Sequence, residues 1–406
     1  MRVLIMSWEY APHLIGGLGK HVQELAPALV AQGAEVHVLT PLLNGGAASE
    51  VTPDGIVVHR VDAPAMAEYG FITFNQEMNT LLERAGRALG SAVGRFDLIH
   101  NHDWLTAQAA IALKQAWRTP LIATIHATER GRGQGRLVGA QAERIDSIEW
   151  TLAYEAWRVI TCSRFMARQV NDYFAAPRDK IDVVPNGVRL MPSPFASAAE
   201  RATFRDHYVA DDQPLAFYVG RIVYEKGLHV LLDAWPQVLR VYPAARLLVA
   251  GAGPYLSELK DQARWLGISN AVIFSGFITD EDRDRMYHIA DAAVFPSLYE
   301  PFGMVALEAM AAHCPVIVSA TGGLIEVVRP HDTGITVEAG NAQSLAWGML
   351  HTFQNPKWTR ARVANAYAEA RDYYGWDIIA ATTTTAYQQI ADEWQGSSWG
   401  KELATS

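Results

Sequence analysis

An α/β architecture of two doubly wound domains facing each other across a cleft is predicted by three observations. Short buried apolar runs alternate with helix-period segments along nearly the whole chain, the mark of parallel sheets covered by helices. At 406 residues the chain is too long for one ordinary core. The strand–helix pattern breaks at residues 188–214, which lack periodicity and carry Pro192, Pro194 and Pro214, and then starts again. We therefore expect an N-terminal domain over 1–190 and a second domain over 191–375. A terminal helix with its tail (376–406) is expected to pack back on the first.

In the first half, Val3 to Met6 reads as a buried strand of the parallel-sheet kind. A loop with Gly16, Gly17 and Gly19 leads to a helix whose Val22, Leu25, Ala26, Leu29 and Val30 share one face, with Gly33 as its stop. Val36 to Leu39 is the next strand. The glycine spacing is not GxGxxG and no acid ends the second strand, so a dinucleotide site is not indicated; the glycines let backbone amides approach a polar ligand. Residues 44–75 read as loop and short strands, and Gln76 to Val93 as helix. A strand at Phe96 to His100 is expected to end in the polar cluster Asn101, His102, Asp103 and Trp104. Leu105 to Ala116 is helical, and strand Pro120 to Ile125 closes on His126. The next segment, through Arg130, Arg132 and Arg136, reads as a solvated flexible loop or as a mobile lid over an anionic or sugar ligand. After a helix at 141–158, strands Arg158 to Cys162 and Ile181 to Val184 bracket another helix and end at the Pro185-Asn186-Gly187 turn.

In the second half, strands at Leu215 to Val219, Arg246 to Ala250 and Val272 to Ser275 each run into a glycine-bearing loop. Thr279 caps an acidic-start helix. The stretch Asp291 to Val328 then organises the domain: a buried strand ends at Pro296, a polar loop carries Glu300, and Gly303 opens a helix bearing Glu308. A second strand and the Gly322-Gly323 turn follow. Helices at 341–353, 358–373 and Asp377 to Trp394 complete the chain.

A net charge of −9 disfavours nucleic acid as the main partner. No window approaches the about 18–20 uninterrupted apolar residues of a spanning helix, and the first residues are too short an apolar run for a signal peptide, so integral membrane association is not expected and the cytoplasm is the plain reading. Cys162 and Cys314 show no metal or redox spacing and are expected to pack as small hydrophobes. Asp103 beside two histidines suggests a metal site, but no third or fourth ligand arrives at a sensible spacing. The DxD at Asp282-Arg283-Asp284 falls in a helix first turn and reads as charge complementing the helix dipole. Trp8, Trp104 and Tyr154 read as core or as sugar-stacking rings.

Chemistry concentrates in the second half. A helix N-terminus at Gly303 offers unpaired amides and partial positive charge, which suits a phosphate. Arg221 adds a planar fork and Lys226 a mobile point charge. Together they can neutralise a diphosphate without a metal. Glu308, about 7–8 Å along the axis at ~1.5 Å per residue, suits ribose hydroxyls, and Glu300 suits hydroxyls on the other side.

The run Glu300 to Glu308, EPFGMVALE, resembles the E-x7-E motif of retaining glycosyltransferases with two Rossmann-like domains, the GT-B type. Gly220-Arg221 with Lys226-Gly227 resembles that family's phosphate-binding pair, and Thr321-Gly322-Gly323 with Glu326 its second donor loop. Pro185-Asn186-Gly187-Val188 resembles its domain junction. Within it, Glu9 to Pro12, Gly16 to Gly19, His102 to Trp104 and Thr124 to Glu129 look closest to the glycogen and starch synthase-like members of families 4 and 5. The resemblance implies catalytic roles for His126, Arg221, Lys226 and Glu300. It implies donor binding by Gly16, Gly17, Gly276, Gly303, Met304, Val305 and Glu308, and an acceptor-side place for Asp103. His126 would bind the donor sugar, its carbonyl near the anomeric carbon, and Gly17 would give an amide to the donor phosphates. Neither a metal nor another cofactor is implied. Bacterial synthases carry a lysine two positions before the Gly-Gly, where this chain has Leu14 and Ile15, so UDP- and ADP-glucose both stay open as donors.

The expected reaction is transfer of glucose from the nucleotide diphosphate sugar to an α-glucan or similar saccharide, with closure of the two domains over the reactants. Other readings of the same fold are a UDP-N-acetylglucosamine 2-epimerase-like isomerase, a transferase to a small-molecule or lipid acceptor, and a nucleotide-sugar-binding module without catalysis.

Overall fold

The computed structural model describes residues 1–64, 70–190, 192–210 and 212–404. The chain forms two compact units, Met1–Gly187 with Trp376–Ser406, and Val188–Gly375.

The first unit is built on eight strands: β1 (Arg2–Met6), β2 (Glu35–Leu42), β3 (Ser49–Val51), β4 (Val57–Asp62), β5 (Leu98–His102), β6 (Leu121–Ile125), β7 (Arg158–Thr161) and β8 (Ile181–Val183). They lie in the order β3-β4-β2-β1-β5-β6-β7-β8 and are parallel except for the β3–β4 pair. The chain winds outward from β1 through β2, then returns to β5 on β1's other side. The loops leaving β1 and β5 therefore flank a topological switch point, where doubly wound sheets bind ligands.

Strand β5 differs from expectation. It runs over Leu98–His102, so Asn101 and His102 lie inside the sheet beside His100 rather than in the loop after it. His100 is tolerated there because both its ring nitrogens are satisfied: Nδ1 meets the Tyr387 hydroxyl at 2.6 Å and Nε2 meets Thr124 Oγ1 at 2.7 Å. Helix Trp376–Gly396 supplies Tyr387, and its Trp376, Ile379, Ala380 and Ile390 share one core with Val22, Leu25, Ala26 and Leu29 of helix Gly17–Ala31. Each such aliphatic side chain contributes about 1.5–3 kcal/mol when fully buried.

The second unit carries β9 (Leu215–Val219), β10 (Arg246–Ala250), β11 (Val272–Gly276), β12 (Ala292–Phe295), β13 (Val316–Ser319) and β14 (Ile335–Val337). Their order is β11-β10-β9-β12-β13-β14, all parallel, so the winding reverses between β9 and β12. Both units are thus Rossmann-like parallel sheets covered by helices.

The stretch at 188–214 is not wholly irregular. Ala198–Asp206 is a helix, capped by Ser197 Oγ accepting from the Glu200 amide at 3.1 Å, while Glu200 Oε2 accepts from the Ala196 amide at 2.8 Å. Its charged composition hides the apolar period. The segment after His126 is a loop only in its second part: Glu129–Arg132 is a helical turn capped by Thr128, with Arg130 gripping Asp146 at 3.1 and 2.6 Å, and the exposed turn that follows carries Arg136. Cys162 and Cys314 are buried free thiols. No helix among the described residues is long and apolar enough to cross a membrane.

Candidate functional site

At the first unit's switch point the residues collect around strand ends β1, β5 and β6. Asp103 follows β5 with a positive φ (φ 56°, ψ −174°) and is buried. Its Oδ1 accepts the His126 amide at 2.7 Å, and the Ala127 amide also donates to the carboxylate. Burial pushes this carboxyl up to about 6, opposed by the Arg132 charge and the two amides. Asp103 is thus a clamp on the backbone that carries His126.

The His126 ring lies in a cluster that sequence spacing did not show. His126 Nε2 stands 3.1 Å from His102 Nδ1. His21, from the first turns of helix Gly17–Ala31, packs edge-on against His126 with ring centroids 4.8 Å apart and holds Asn186 Oδ1 through its Nδ1 at 2.7 Å. A ring nitrogen from each of His21, His102 and His126 lies within 4.8 Å of the others. This set differs from the Asp103-centred one that the sequence suggests: His126 comes from the end of β6, and His21 is brought in by the fold from far upstream. Burial holds His21 and His102 well below the ordinary imidazole range and pulls His126 down to about 3, so all three rings are neutral.

The glycine loop is held by a residue quoted only for its resemblance. Glu9 Oε2 accepts the Ile15 amide at 2.8 Å and the Gly16 amide at 3.0 Å. Gly16 therefore spends its amide inside the loop, whereas Gly17 begins the helix, where first-turn amides lack intrahelical acceptors. Glu149 was missed altogether. It is buried, and both its oxygens lie 3.0 Å from the Glu129 amide, which fixes the turn after His126. Burial pushes Glu149 up to about 8 against that amide and Arg132, with the charges of Asp103 and Glu129 adding to the rise.

In the second unit the loops leaving β9 and β12 interlock. The Leu298 amide donates to the Glu225 carbonyl at 2.8 Å. Gly227 sits at φ 68°, where a Cβ would overlap the Pro296 carbonyl oxygen, so only glycine allows this approach. Gly322, at φ 55°, lies against the Glu300 carbonyl in the same way, and the Gly323 amide donates to that oxygen at 2.8 Å. Three loops, those after β9, β12 and β13, thereby converge around Glu300.

Lys226 Nζ meets Glu300 Oε2 at 2.7 Å, and Ser297 Oγ donates to the same oxygen at 3.1 Å. Both charged side chains are largely buried, with 18% and 10% exposure, so the pair is far less screened than a surface bridge. Arg221 is different. Its guanidinium is half exposed and only 3.7 Å from Glu225, while its carbonyl accepts from the buried Tyr218 hydroxyl at 3.0 Å. Gly303 caps helix Met304–Ala311, which places Met304 and Val305 in the first turn. Glu308, one helical turn and more along, lies 3.6 Å from Arg283 Nε and 3.4 Å from the Tyr287 hydroxyl, and that hydroxyl also reaches the Val305 carbonyl at 3.1 Å. Gly276 ends β11 with φ 74°.

Other sequence candidates fall elsewhere. Asp280 and Asp284 pair with Arg283, and Thr279 caps the Asp282 amide at 3.1 Å, so the DxD serves its own helix. Trp8 packs on Phe71 and Phe74, and Trp104 on Phe71, as core. Tyr154 is exposed and stacks on Trp150.

Comparison with known proteins gives matches along almost the whole chain. The family model "Glycosyltransferase Family 4" matches residues 15–191, and "Glycosyl transferases group 1" matches residues 200–370. The chain is 36% identical over 400 residues to an uncharacterised glycosyltransferase of Methanocaldococcus jannaschii, covering 98% of this chain and all of that one. It is 35% identical over 399 residues to a glycogen synthase of Mycobacterium tuberculosis, covering 95% and 94% of the two chains. The sucrose-phosphate synthase structure from Thermosynechococcus elongatus superposes with a TM-score of 0.82 at 26% identity over 96% of this chain and 98% of that one.

Proposed function

The chain belongs to the GT-B glycosyltransferases of the family 4 and 5 type, and from that premise we propose that it is a retaining glucosyltransferase using UDP- or ADP-glucose. Its acceptor is an α-glucan or a similar saccharide, and no metal takes part in the transfer. The observation that carries this reading is the largely buried Lys226–Glu300 pair at the mouth of the phosphate-suited helix Met304–Ala311. It holds a cation in place for a leaving diphosphate without the ion being lost to solvent.

In this mechanism the bond from the anomeric carbon to the phosphate oxygen breaks through an oxocarbenium-like state. The acceptor hydroxyl attacks on the face that the nucleotide leaves, and the departing phosphate oxygen takes its proton. Lys226, Arg221 and the first-turn amides of Met304 and Val305 neutralise the phosphate; such preorganised stabilisation is the largest rate term. Glu300 orients Lys226 with one oxygen and accepts donor-sugar hydroxyls with the other. Glu308, steadied by Arg283 and Tyr287, reads the ribose, and Gly276 lines the nucleotide side. From the first unit, Gly17 gives an amide to the phosphates. His126 binds the donor sugar, and Asp103 fixes it in register at the acceptor side. No side chain acts as nucleophile.

Similarity to the glycogen synthase supports the glucan acceptor. Similarity to a sucrose-phosphate synthase favours the second reading, a small sugar acceptor. A donor panel of UDP- and ADP-sugars with glycogen, maltose and no acceptor separates them, with the product's anomeric configuration read by NMR. Lys226→Ala is expected to lower turnover at least ~100-fold, about 2.7 kcal/mol of transition-state stabilisation. A near-normal rate in that variant, with its fold intact by circular dichroism, sinks the phosphate assignment.

A further inference from the structure

The histidine cluster of the first unit does more than hold a sugar-binding ring. We propose that His21, His102 and His126 form a site for a divalent transition-metal ion of the zinc type, and that an ion bound there withdraws His126 from the donor sugar and stops transfer. The second half of that statement rests on the role given to His126 above; the first half does not.

Ligand geometry comes first. One ring nitrogen from each of the three residues falls within 4.8 Å of the others. The His102 Nδ1 to His126 Nε2 separation is 3.1 Å, close to the about 3.3–3.4 Å between two nitrogens bound 2.0–2.1 Å from a tetrahedral ion. Without an ion those two nitrogens must share one proton. Shifting it to His102 Nε2, which is buried with no hydrogen-bond partner among the described residues, frees Nδ1 and leaves the ring neutral. No proton is released and no charge is created.

Orientation is already provided. His21 uses Nδ1 toward the Asn186 amide oxygen, an acceptor, so Nδ1 carries the hydrogen and Nε2 keeps its lone pair. Metal-binding histidines are typically fixed in this way by a carbonyl or carboxylate on the other ring nitrogen. Asn186 belongs to the Pro185-Asn186-Gly187 turn, which thereby gains a physical task in this unit. His100 is excluded as a ligand because Tyr387 and Thr124 occupy both its nitrogens, but its ring packs 4.2 Å from His102 and backs the cluster.

The donor set selects the ion. Three imidazoles and no carboxylate suit Zn2+, Co2+, Ni2+ or Cu2+, whereas Mg2+ and Ca2+ need oxygen ligands. Asp103 is adjacent but its carboxylate holds the His126 and Ala127 amides. Three protein ligands leave a fourth tetrahedral position for water, as in open zinc sites.

The test titrates chelator-treated full-length protein with Co2+ and reads ligand-field absorption together with bound metal by mass spectrometry. One ion per chain with the intense bands of tetrahedral coordination is expected. His21→Gln and His102→Gln should abolish those bands, and Asn186→Ala should weaken binding about 10–100-fold while keeping their shape. Circular dichroism verifies each fold, and the Asn186→Ala result keeps the proposal testable if a histidine variant unfolds. Weak octahedral bands, or tetrahedral bands unchanged in both histidine variants, overturn the site. A second arm adds Zn2+ to the wild-type enzyme turning over its donor. Loss of turnover restored by chelator is expected, and full turnover with the site loaded overturns the inhibitory role. The spectroscopic arm stands or falls whatever the enzyme transfers, so its failure is distinct from failure of the glucosyltransferase reading.

Discussion

Asp103→Asn separates positioning of His126 from stability of the sheet. The residue sits at φ 56° and ψ −174°, a strained conformation outside αL that aspartate already bears, and asparagine has the same branching and size, so the substitution adds no new backbone cost. What changes is acceptor capacity. The carboxylate takes both the His126 and the Ala127 amides, whereas the carboxamide keeps one oxygen and turns an N–H donor toward the other amide. Losing one hydrogen bond to a charged acceptor amounts to about 1.5–3 kcal/mol. If that bond holds His126 in its reactive register, kcat falls about 10–150-fold. Stability should move far less, because burial raises the Asp103 carboxyl to about 6 and the neutral amide is relieved of that desolvation. The assay is steady-state kcat and KM for the donor, paired with urea unfolding. A kcat within twofold of wild type, or a fall in unfolding free energy as large as the catalytic loss, refutes the positioning role. Asp103→Ala is the contrast: it takes both acceptors away from the His126 and Ala127 amides and should lower stability as well, by about 1–3 kcal/mol for each buried amide left unpaired.

Glu149→Gln should remove a pH-dependent contribution to stability. Its folded value of about 8 lies above the ordinary 4.5, so the stability it gives is complete below 4.5 and lost as pH rises toward 8; the variant should gain on wild type across that window in urea melts. A constant difference from pH 5 to 8 would contradict it. Tyr387→Phe strips His100 Nδ1 of its 2.6 Å partner inside the sheet and should cost about 1–3 kcal/mol in the same melts, and an unchanged midpoint would show that the bond carries no net stability.

The alternation of buried strands with helices was legible because parallel strands covered on both faces read as apolar runs, as in Val3 to Met6 and Ala292 to Phe295. It failed where a central strand carries polar residues. Asn101 and His102 look like loop chemistry in one dimension and are strand residues in three, extending the strand past His100, which partners on β6 and on helix Trp376–Gly396 satisfy. Helix Ala198–Asp206 lacks an apolar stripe, yet the sequence does display the Ser-x-x-Glu spacing of a helix start, Ser197 capping the Glu200 amide while Glu200 reaches back to the Ala196 amide. In the site, Glu300 and Lys226 stood out through charge beside a helix start, and they meet at 2.7 Å. His21 did not, since nothing along the chain ties it to His102 and His126. The backbone-holding role of Glu149 was hidden for a related reason: it lies in the middle of a helix, and its target is the amide of Glu129 on another element.

Buried acids at both switch points share a use that explains why they are acids. Glu9, Asp103 and Glu149 each accept main-chain amides of loops that leave the first sheet, and Glu300 accepts from Lys226 and Ser297 at the second. Loops at strand ends have amides with no ladder partner, and an ionised carboxylate gives the strongest acceptor for them. A serine or asparagine in the same places would satisfy fewer donors and allow the loops to drift. Burial raises both: Asp103, at about 6, stays largely ionised at neutral pH, whereas Glu149, at about 8, holds the Glu129 amide mainly as the neutral acid. Glu300 follows the same logic with a side-chain cation in place of an amide. Its Oε2 is occupied from two directions, so the residue is built to hold position and is poorly placed to attack an anomeric carbon. The pairing of Glu300 with Lys226, rather than with a second carboxylate, is what sets this site apart from the two-acid arrangement of glycoside hydrolysis.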